Sequence, residues 1–221
     1  MMCASRIGAW AKSGGGSRLP YPYEEHKYLY SDGSAYTIIP HTHVNAQNIE
    51  IKTSILALDE YVIGGKNIFQ GAVSDRSWMG GFYGNNSTTS GFYCANIAGG
   101  HNLNFNISRS WSVQIVRNGG ICVLKRNDIE ETLTLTSNMT LAQMGLFTQT
   151  NGSIATTGRA PKNVCLGEFI YKDGTSYSAD LVPCKNILTN ECGFYDLYNS
   201  YFLGNANLSG VFNVYDNEFI A

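Results

Sequence analysis

The chain has 221 residues, 43% of them apolar, 12% aromatic and 14% charged, with fifteen basic and seventeen acidic side chains giving a formal net charge of −2. That balance excludes intrinsic disorder, which needs low hydrophobicity and high charge, and a coiled coil, which draws about half its residues from Ala, Glu, Lys, Leu and Arg. It also removes any general electrostatic pull toward nucleic acid or anionic lipid, and the length suits one large β domain with a short extension.

The first twenty residues carry Arg6, Lys12 and Arg18, no acid, a lone Trp10, and the run Ser13-Gly14-Gly15-Gly16-Ser17. Such a composition reads as an arm over residues 1–22, ahead of a domain over 23–221. It is either a loose tail or a peptide that docks Ile7 and Trp10 into a neighbouring subunit, and docking is the expectation. Arg6, Lys12 and Arg18 are its candidate anchoring cations. Its apolar stretch from Ile7 to Ala11 is broken by Gly8 and falls short of the roughly 7 to 15 residues of a secretory core, so no export signal is expected. No membrane span is expected either, because no window of about 18 apolar residues exists.

Beyond Pro20, short runs rich in Ile, Val, Thr, Tyr and Phe alternate with Gly, Asn, Asp and Ser clusters, the rhythm of a β-sandwich or barrel. His41-Thr42-His43 places two imidazoles on one face of an extended segment, but no third ligand lies nearby in sequence, so a surface pair and no metal are expected. Gln47 to Leu58 and Lys66 to Val73 are strand candidates. The polar, Gly-rich stretches Gly80 to Gly91 and Gln149 to Arg159 are expected as long loops, where binding tends to reside. Around the first of these, Trp78, Tyr83, Asn85, Asn86, Tyr93 and His101 combine ring faces with amides. That set suits a sugar, whose C–H face stacks on a ring while its hydroxyls need both donors and acceptors. Trp78, Phe82 and Phe92 could equally be core rings. The loop Gly80 to Gly91 carries no carboxylate, and no calcium is expected in it.

Trp111 to Arg117 alternates apolar and polar residues and is followed by Asn118-Gly119 and then Ile121 to Arg126, which predicts a hairpin on a type I′ turn. Asn127-Asp128 leads into a third strand from Ile129 to Leu135. Val164 to Tyr171, Asp173-Gly174 and Ser176 to Pro183 predict a second hairpin, with Pro183 ending its second strand. Helical periodicity is hard to find, so helix content should be low. Six cysteines (Cys3, Cys94, Cys122, Cys165, Cys184, Cys192) include no Cys-x-x-Cys pair; reduced, mostly buried thiols are expected rather than zinc.

Several runs in order resemble the laminin-G-like or concanavalin-A-like jelly-roll domains found in surface proteins of gut bacteria and their phages. They are Tyr28-Leu29-Tyr30-Ser31-Asp32-Gly33-Ser34-Ala35-Tyr36-Thr37, with Ala35 in place of the common Gln; Gly91-Phe92-Tyr93; the Trp111 hairpin; Leu166 to Gly174; Asp180-Leu181-Val182-Pro183-Cys184; Cys192-Gly193-Phe194-Tyr195-Asp196-Leu197; and Tyr201-Phe202. The resemblance spans about Tyr28 to Phe212. It implies an all-β, two-sheet antiparallel jelly-roll sandwich with a short N-terminal arm. The Glu-x-Asp-x-x-Glu strand of the glycan hydrolases that share the jelly roll is missing. The pairs Glu24-Glu25, Asp59-Glu60 and Glu130-Glu131 are adjacent and in strands point to opposite faces, so they read as solvated charges and not as an acid and base across one bond.

The resulting expectation is a non-enzymatic phage virion structural protein, of head, fibre, tail or decoration type, without a cofactor. Its arm would grip other virion proteins, and its jelly roll, in many copies, would bind host surface glycan. The alternative is an adhesin module on a bacterial cell surface.

Overall fold

The structure is a computed structural model that describes residues 17–41, 48–62, 67–74, 77–79, 81–84, 89–93, 105–106, 110–127, 129–134, 143–151, 154–156, 160–174 and 176–217. Strands fill them, and no helix occurs among the described residues. In chain order these are β1 (Tyr23–Glu25), β2 (Tyr28–Asp32), β3 (Thr37–Ile38), β4 (Asn48–Val62), β5 (Phe69–Ser74), β6 (Ser77–Met79), β7 (Gly81–Gly84), β8 (Thr89–Tyr93), β9 (Phe105–Asn106) and β10 (Ser110–Asn118). There follow β11 (Ile121–Arg126), β12 (Ile129–Thr134), β13 (Gly145–Leu146), β14 (Gln149–Asn151), β15 (Ile154–Thr156), β16 (Lys162–Asp173), β17 (Ser176–Asn186), β18 (Cys192–Asp196), β19 (Tyr201–Leu203) and β20 (Phe212–Tyr215).

The described chain is all-β, with antiparallel sheets packed as a sandwich. Its main sheet runs β12-β11-β10-β4-β16-β17-β18-β19, with β1, β2 and β20 joined to it, and a smaller sheet runs β3-β13-β5-β6. Alternation along the long strands decides which residues go inside. Ile49, Ile51 and Ile55 of β4, Phe169 and Tyr171 of β16, and Val113 and Ile115 of β10 are buried, whereas Glu50, Lys52 and Lys172 lie on the other face. The smaller layer supplies Phe69 and Leu146, together with Ile39 and Phe147, to the same core. Across the layers the rings of Phe69 and Phe169 meet edge-on, 5.3 Å between centroids.

β1 and β2 are nearly continuous, yet they pair with different strands: Glu25 lies opposite Cys184 of β17, and Leu29 lies opposite Leu166 of β16. The N-terminal strands are thus wedged where β16 and β17 diverge. At that fork the amide of His26 donates to Pro183 O at 2.9 Å. From the C-terminal end Asp216 closes it, accepting from Lys27 N at 2.9 Å and contacting His26 Nδ1 at 2.8 Å. Burial alone would raise the Asp216 pKa, but these bonds outweigh it and hold the carboxyl below its ordinary value.

Four expectations are corrected. Pro183 does not end its strand: β17 continues to Asn186, and Pro183 lies opposite Phe194. In a strand the N and C=O of one residue face the same neighbour. The Pro183 carbonyl faces His26, so its missing N–H falls at the fork and not in the ladder to β18.

Both predicted turns are displaced by one residue. Asn118 pairs with Ile121 and Asp173 with Ser176, so the loops begin at Gly119 (φ 58°) and Gly174 (φ 67°). Glycine occupies the first loop position because that position needs a positive φ; with Gly120 after it, the first turn follows the type II′ pattern. The third turn is as expected, Asn127 (φ 48°) lying between the paired Arg126 and Ile129.

The stretches expected as loops contain ribbons instead. β7 pairs with β8, and β14 with β15, because Phe82, Tyr83, Phe92 and Ile154 favour a pleated backbone despite the neighbouring glycines. Finally, Glu25 and Glu130 are not simply solvated, since each is bonded to a cation: Arg18 for the first, and Lys125 at 2.7 Å for the second. The side chains of Asp59 and Glu60 lie outside the described set.

Candidate functional site

The outer face of the main sheet carries a group of polar and aromatic side chains. It is organised by the segment leading into β1. Leu19 is 7% exposed and packs with Val182, Cys184 and Tyr195 in a second, smaller apolar cluster on this face. The ring of Tyr23 lies 4.9 Å from that of Tyr195 and stacks on Phe202 at 5.3 Å. Beside them Arg18 forks between two carboxylates: Nε donates to Glu25 Oε1 at 3.0 Å, and Nη1 donates to Glu168 Oε1 at 2.8 Å. The bonds to Glu25 and Glu168 outweigh burial and raise the guanidinium pKa above its ordinary value.

Asp180 neighbours this group on β17. Burial, the Glu168 charge and, less strongly, Asp196 push its carboxyl up to about 6 against the opposing Arg18, and its buried Oδ1 has no hydrogen-bond partner. The folded state therefore holds this proton more tightly than the unfolded chain does. The resulting stability is present below the ordinary carboxyl value of 3.8 and is lost as pH rises through about 6. Asp180→Asn is expected to flatten stability across that window and to be the more stable protein above it, by on the order of 1 kcal/mol after solvent screening. Urea midpoints of both proteins measured on either side of the window check this; a wild-type stability that rises relative to Asp180→Asn through the window would contradict the assignment.

Farther along the face Glu50 accepts from Lys172 Nζ at 2.9 Å, contacts Lys52 Nζ at 2.7 Å and accepts from Gln114 Nε2 at 3.3 Å. Burial would raise the Glu50 pKa, but the two lysines hold it below its ordinary value. At the edge of the face, where the chain enters β1, a cleft of about 560 Å³ is lined by Ser17, Tyr21, Pro22, Tyr23, Glu24 and Ile187, among others.

Trp78 falls in β6, Tyr83 in β7 and Tyr93 in β8, although their side chains are outside the described set. The register sets Tyr83 opposite Gly91, Tyr93 opposite Gly81 and Phe82 opposite Phe92. By strand alternation the positions of Tyr83 and Tyr93 share one face of the ribbon and the two phenylalanine positions share the other. Asn85, Asn86 and His101 lie outside the described residues, as do Arg6, Ile7, Trp10 and Lys12 of the arm. Arg18, expected among the anchoring cations, is bound within its own chain. His41 contacts Asp173 at 3.2 Å, and its partner in the motif, His43, lies outside the described residues. Among the described residues no group of three or more His, Cys, Asp or Glu side chains is arranged to hold a metal.

Cys122, Cys165 and Cys184 are buried and Cys192 is half-buried, all as free thiols; Cys3 and Cys94 lie outside the described residues. Burial pushes Cys165 and Cys184 up to about 12, which keeps both protonated and unreactive at neutral pH. The Arg18 fork and the cleft were not read from the sequence, because each depends on which strands lie side by side. The cluster Tyr21-Pro22-Tyr23 was the local signal for the cleft.

No protein-family model matches the sequence, and no curated protein matches it. Among solved structures, the chain is similar to domains LG4-5 of the mouse laminin α1 chain, with a TM-score of 0.48 and 12% identity over 81% of this chain and 52% of that one. It is also similar to a family 7 alginate lyase, A1-II′, in complex with product, with a TM-score of 0.42 and 10% identity over 60% of this chain and 65% of the other. For the alginate lyase from Corynebacterium sp. the TM-score is 0.34 and the identity 12%, over 65% and 61%. The chain spans less than two thirds of each of these structures. These likenesses assign neither activity nor ligand.

Proposed function

We propose that the protein is a non-catalytic glycan-recognition module, displayed in many copies and held to its carrier by the segment ahead of β1. The observation that carries this reading is the β7–β8 ribbon, whose register gathers the positions of Tyr83 and Tyr93 on one face with Gly91 and Gly81 opposite them. Aromatic rings stack on the C–H face of a sugar, and the ribbon sets two aromatic positions on one face. A non-catalytic role is supported by the ion pairing of outer-face carboxylates: Glu25 and Glu168 are tied to Arg18, and Glu50 to two lysines.

The carrier in this proposal is a phage particle, with other virion proteins as partners. The free thiols at Cys122, Cys165, Cys184 and Cys192 favour assembly in a reducing cytoplasm. An exported bacterial adhesin is the second reading, favoured by the same aromatic ribbon.

The test is a glycan array probed with the protein clustered on beads, since weak single sites gain avidity when linked. Binding is expected, and Tyr83→Ala with Tyr93→Ala should reduce it about tenfold or more, at the upper end of what stacked rings contribute. A clustered protein that binds no glycan would reduce the role to decoration. Release of reducing ends from mixed polysaccharide would make it an enzyme.

A further inference from the structure

One end of the main sheet, opposite the turn between Asp173 and Ser176, gathers the start of β1, the end of β2, the start of β16 and the end of β17. The register fixes this, with Tyr23 opposite Asn186 and Asp32 opposite Lys162. β19 also ends there, Gly204 lying against the Glu191 side chain, and the loop from β19 to β20 returns to β2. Seven large apolar side chains are exposed among the described residues, and five of them belong to this end: Tyr21, Ile187, Leu188, Leu208 and Val211. The other two, Ile121 and Tyr198, lie toward the opposite end. Single exposed apolar groups are ordinary, but a concentration at one end marks a contact surface.

This end carries a knob and a hollow. The knob is Leu208, fully exposed on the loop of residues 205–211. Hydrogen bonds hold that loop from both sides: Asn205 Oδ1 accepts from Tyr36 N at 3.1 Å and from Asn207 N at 2.9 Å, and Asn207 Nδ2 donates to Ser34 O at 2.8 Å. Asp32 Oδ2 accepts from Val211 N at 3.0 Å, and Gly210 packs against the Ala35 backbone with no room for a side chain. A loop fixed in this way loses little further freedom when its tip is covered. The hollow is the cleft of about 560 Å³ with Tyr21, Pro22, Tyr23 and Ile187 in its lining. Charge is divided in the same way. Lys162 is exposed beside Gly33 on the side of the knob, and Glu24, its side chain 62% exposed, lines the cleft.

A surface that holds both a projection and a hollow, and both a cation and an anion, is complementary to itself, as a two-fold contact requires. A two-fold axis lying in this face, midway between Leu208 and the cleft, sets each Leu208 over the other copy's cleft. The same axis carries the Lys162 side of each copy over the Glu24 side of the other. We infer that this end of the sheet is an interface between two copies of the chain, with Leu208 of each seated in the cleft of the other. The inference uses no position of the β7–β8 ribbon and is independent of glycan binding.

Sedimentation equilibrium of the full chain across the micromolar range is expected to show monomers passing to dimers and no further. Leu208→Asp and Ile187→Lys should each weaken pairing about tenfold or more, because each sets a charge in an apolar contact twice per dimer. Both side chains are exposed, so near-ultraviolet circular dichroism should show the fold of each variant unchanged. An equimolar mixture of the two variants is the sharper reading. A mixed dimer sets one intact Leu208 in one intact cleft and faces the new Asp with the new Lys, so the mixture should pair more tightly than either variant alone. A chain that stays monomeric would overturn the inference, as would association that continues beyond two chains. So would a Leu208→Asp variant that pairs like the wild type, or a mixture of the folded variants no tighter than its components.

Discussion

Phe169→Ala should lower the unfolding free energy by about 3–5 kcal/mol, the range for deleting a buried aromatic ring. Phe169 is 0% exposed on β16, and its ring meets Phe69 of the smaller sheet edge-on at 5.3 Å. The two residues are one hundred positions apart in sequence, so their contact forms only when the layers close on each other. The substitution removes a ring from the interface itself and leaves a cavity that neither sheet can fill without sliding. With a urea m value of about 2–3 kcal/mol/M for a chain of this size, the midpoint should fall by roughly 1.5 M at unchanged m. Ile121→Ala at the rim of the β10–β11 hairpin, 52% exposed, should shift it little. A loss under about 1 kcal/mol for Phe169→Ala would mean that the layers do not pack as described.

Asp196→Ala should cost about 3 kcal/mol or more, through hydrogen bonding instead of packing. Asp196 is 0% exposed at the end of β18. Its Oδ1 accepts from Tyr198 N at 2.9 Å, Asn199 N at 3.1 Å and Asp180 N at 3.2 Å, and its Oδ2 accepts from Asn199 Nδ2 at 2.7 Å. One side chain thus closes the turn from β18 to β19 and ties it to β17. Alanine would strip an acceptor from several donors at once. Asp196→Asn keeps an oxygen for the backbone amides but sets an NH2 group against Asn199 Nδ2, so about half the loss should remain.

An independent readout comes from Tyr201. Burial first, and then the Asp196 charge and hydrogen bond, push its hydroxyl up to about 12. In Asp196→Asn the ultraviolet titration of Tyr201 should move down toward the ordinary phenol value near 10. A stable Asp196→Ala variant, or a Tyr201 titration that does not move in the Asn variant, would contradict this account.

The layers and most of the strands were legible because alternation is local: Val113, Ile115, Cys122 and Leu124 declare an inward face without reference to any partner. The hairpins were legible for the same reason, but their registers were not. Two adjacent residues can each accept a positive φ, and the glycine took the first loop position only once the cross-strand pairing was set. Pro183 misled because its cost depends on whether a neighbour awaits its N–H, and the fork at His26 removes that neighbour. The Arg18–Glu168 pair spans 150 positions, and the raised Asp180 comes from burial between strands that composition cannot order. At the ribbon, the register puts the positions of Tyr83 and Tyr93 on one face, whereas Asn85 and Asn86 belong to the stretch outside the described residues.

The wedge of β1 and β2 into the fork of the main sheet has a mechanical consequence. A tug on the leader runs along β1, parallel to its partner strand, so the bonds to β17, the His26 link to Pro183 and the Arg18 clamp on Glu168 are loaded together. Pulled along its own axis, β1 resists as a shear joint, whereas a pull across the sheet would open the same bonds one at a time.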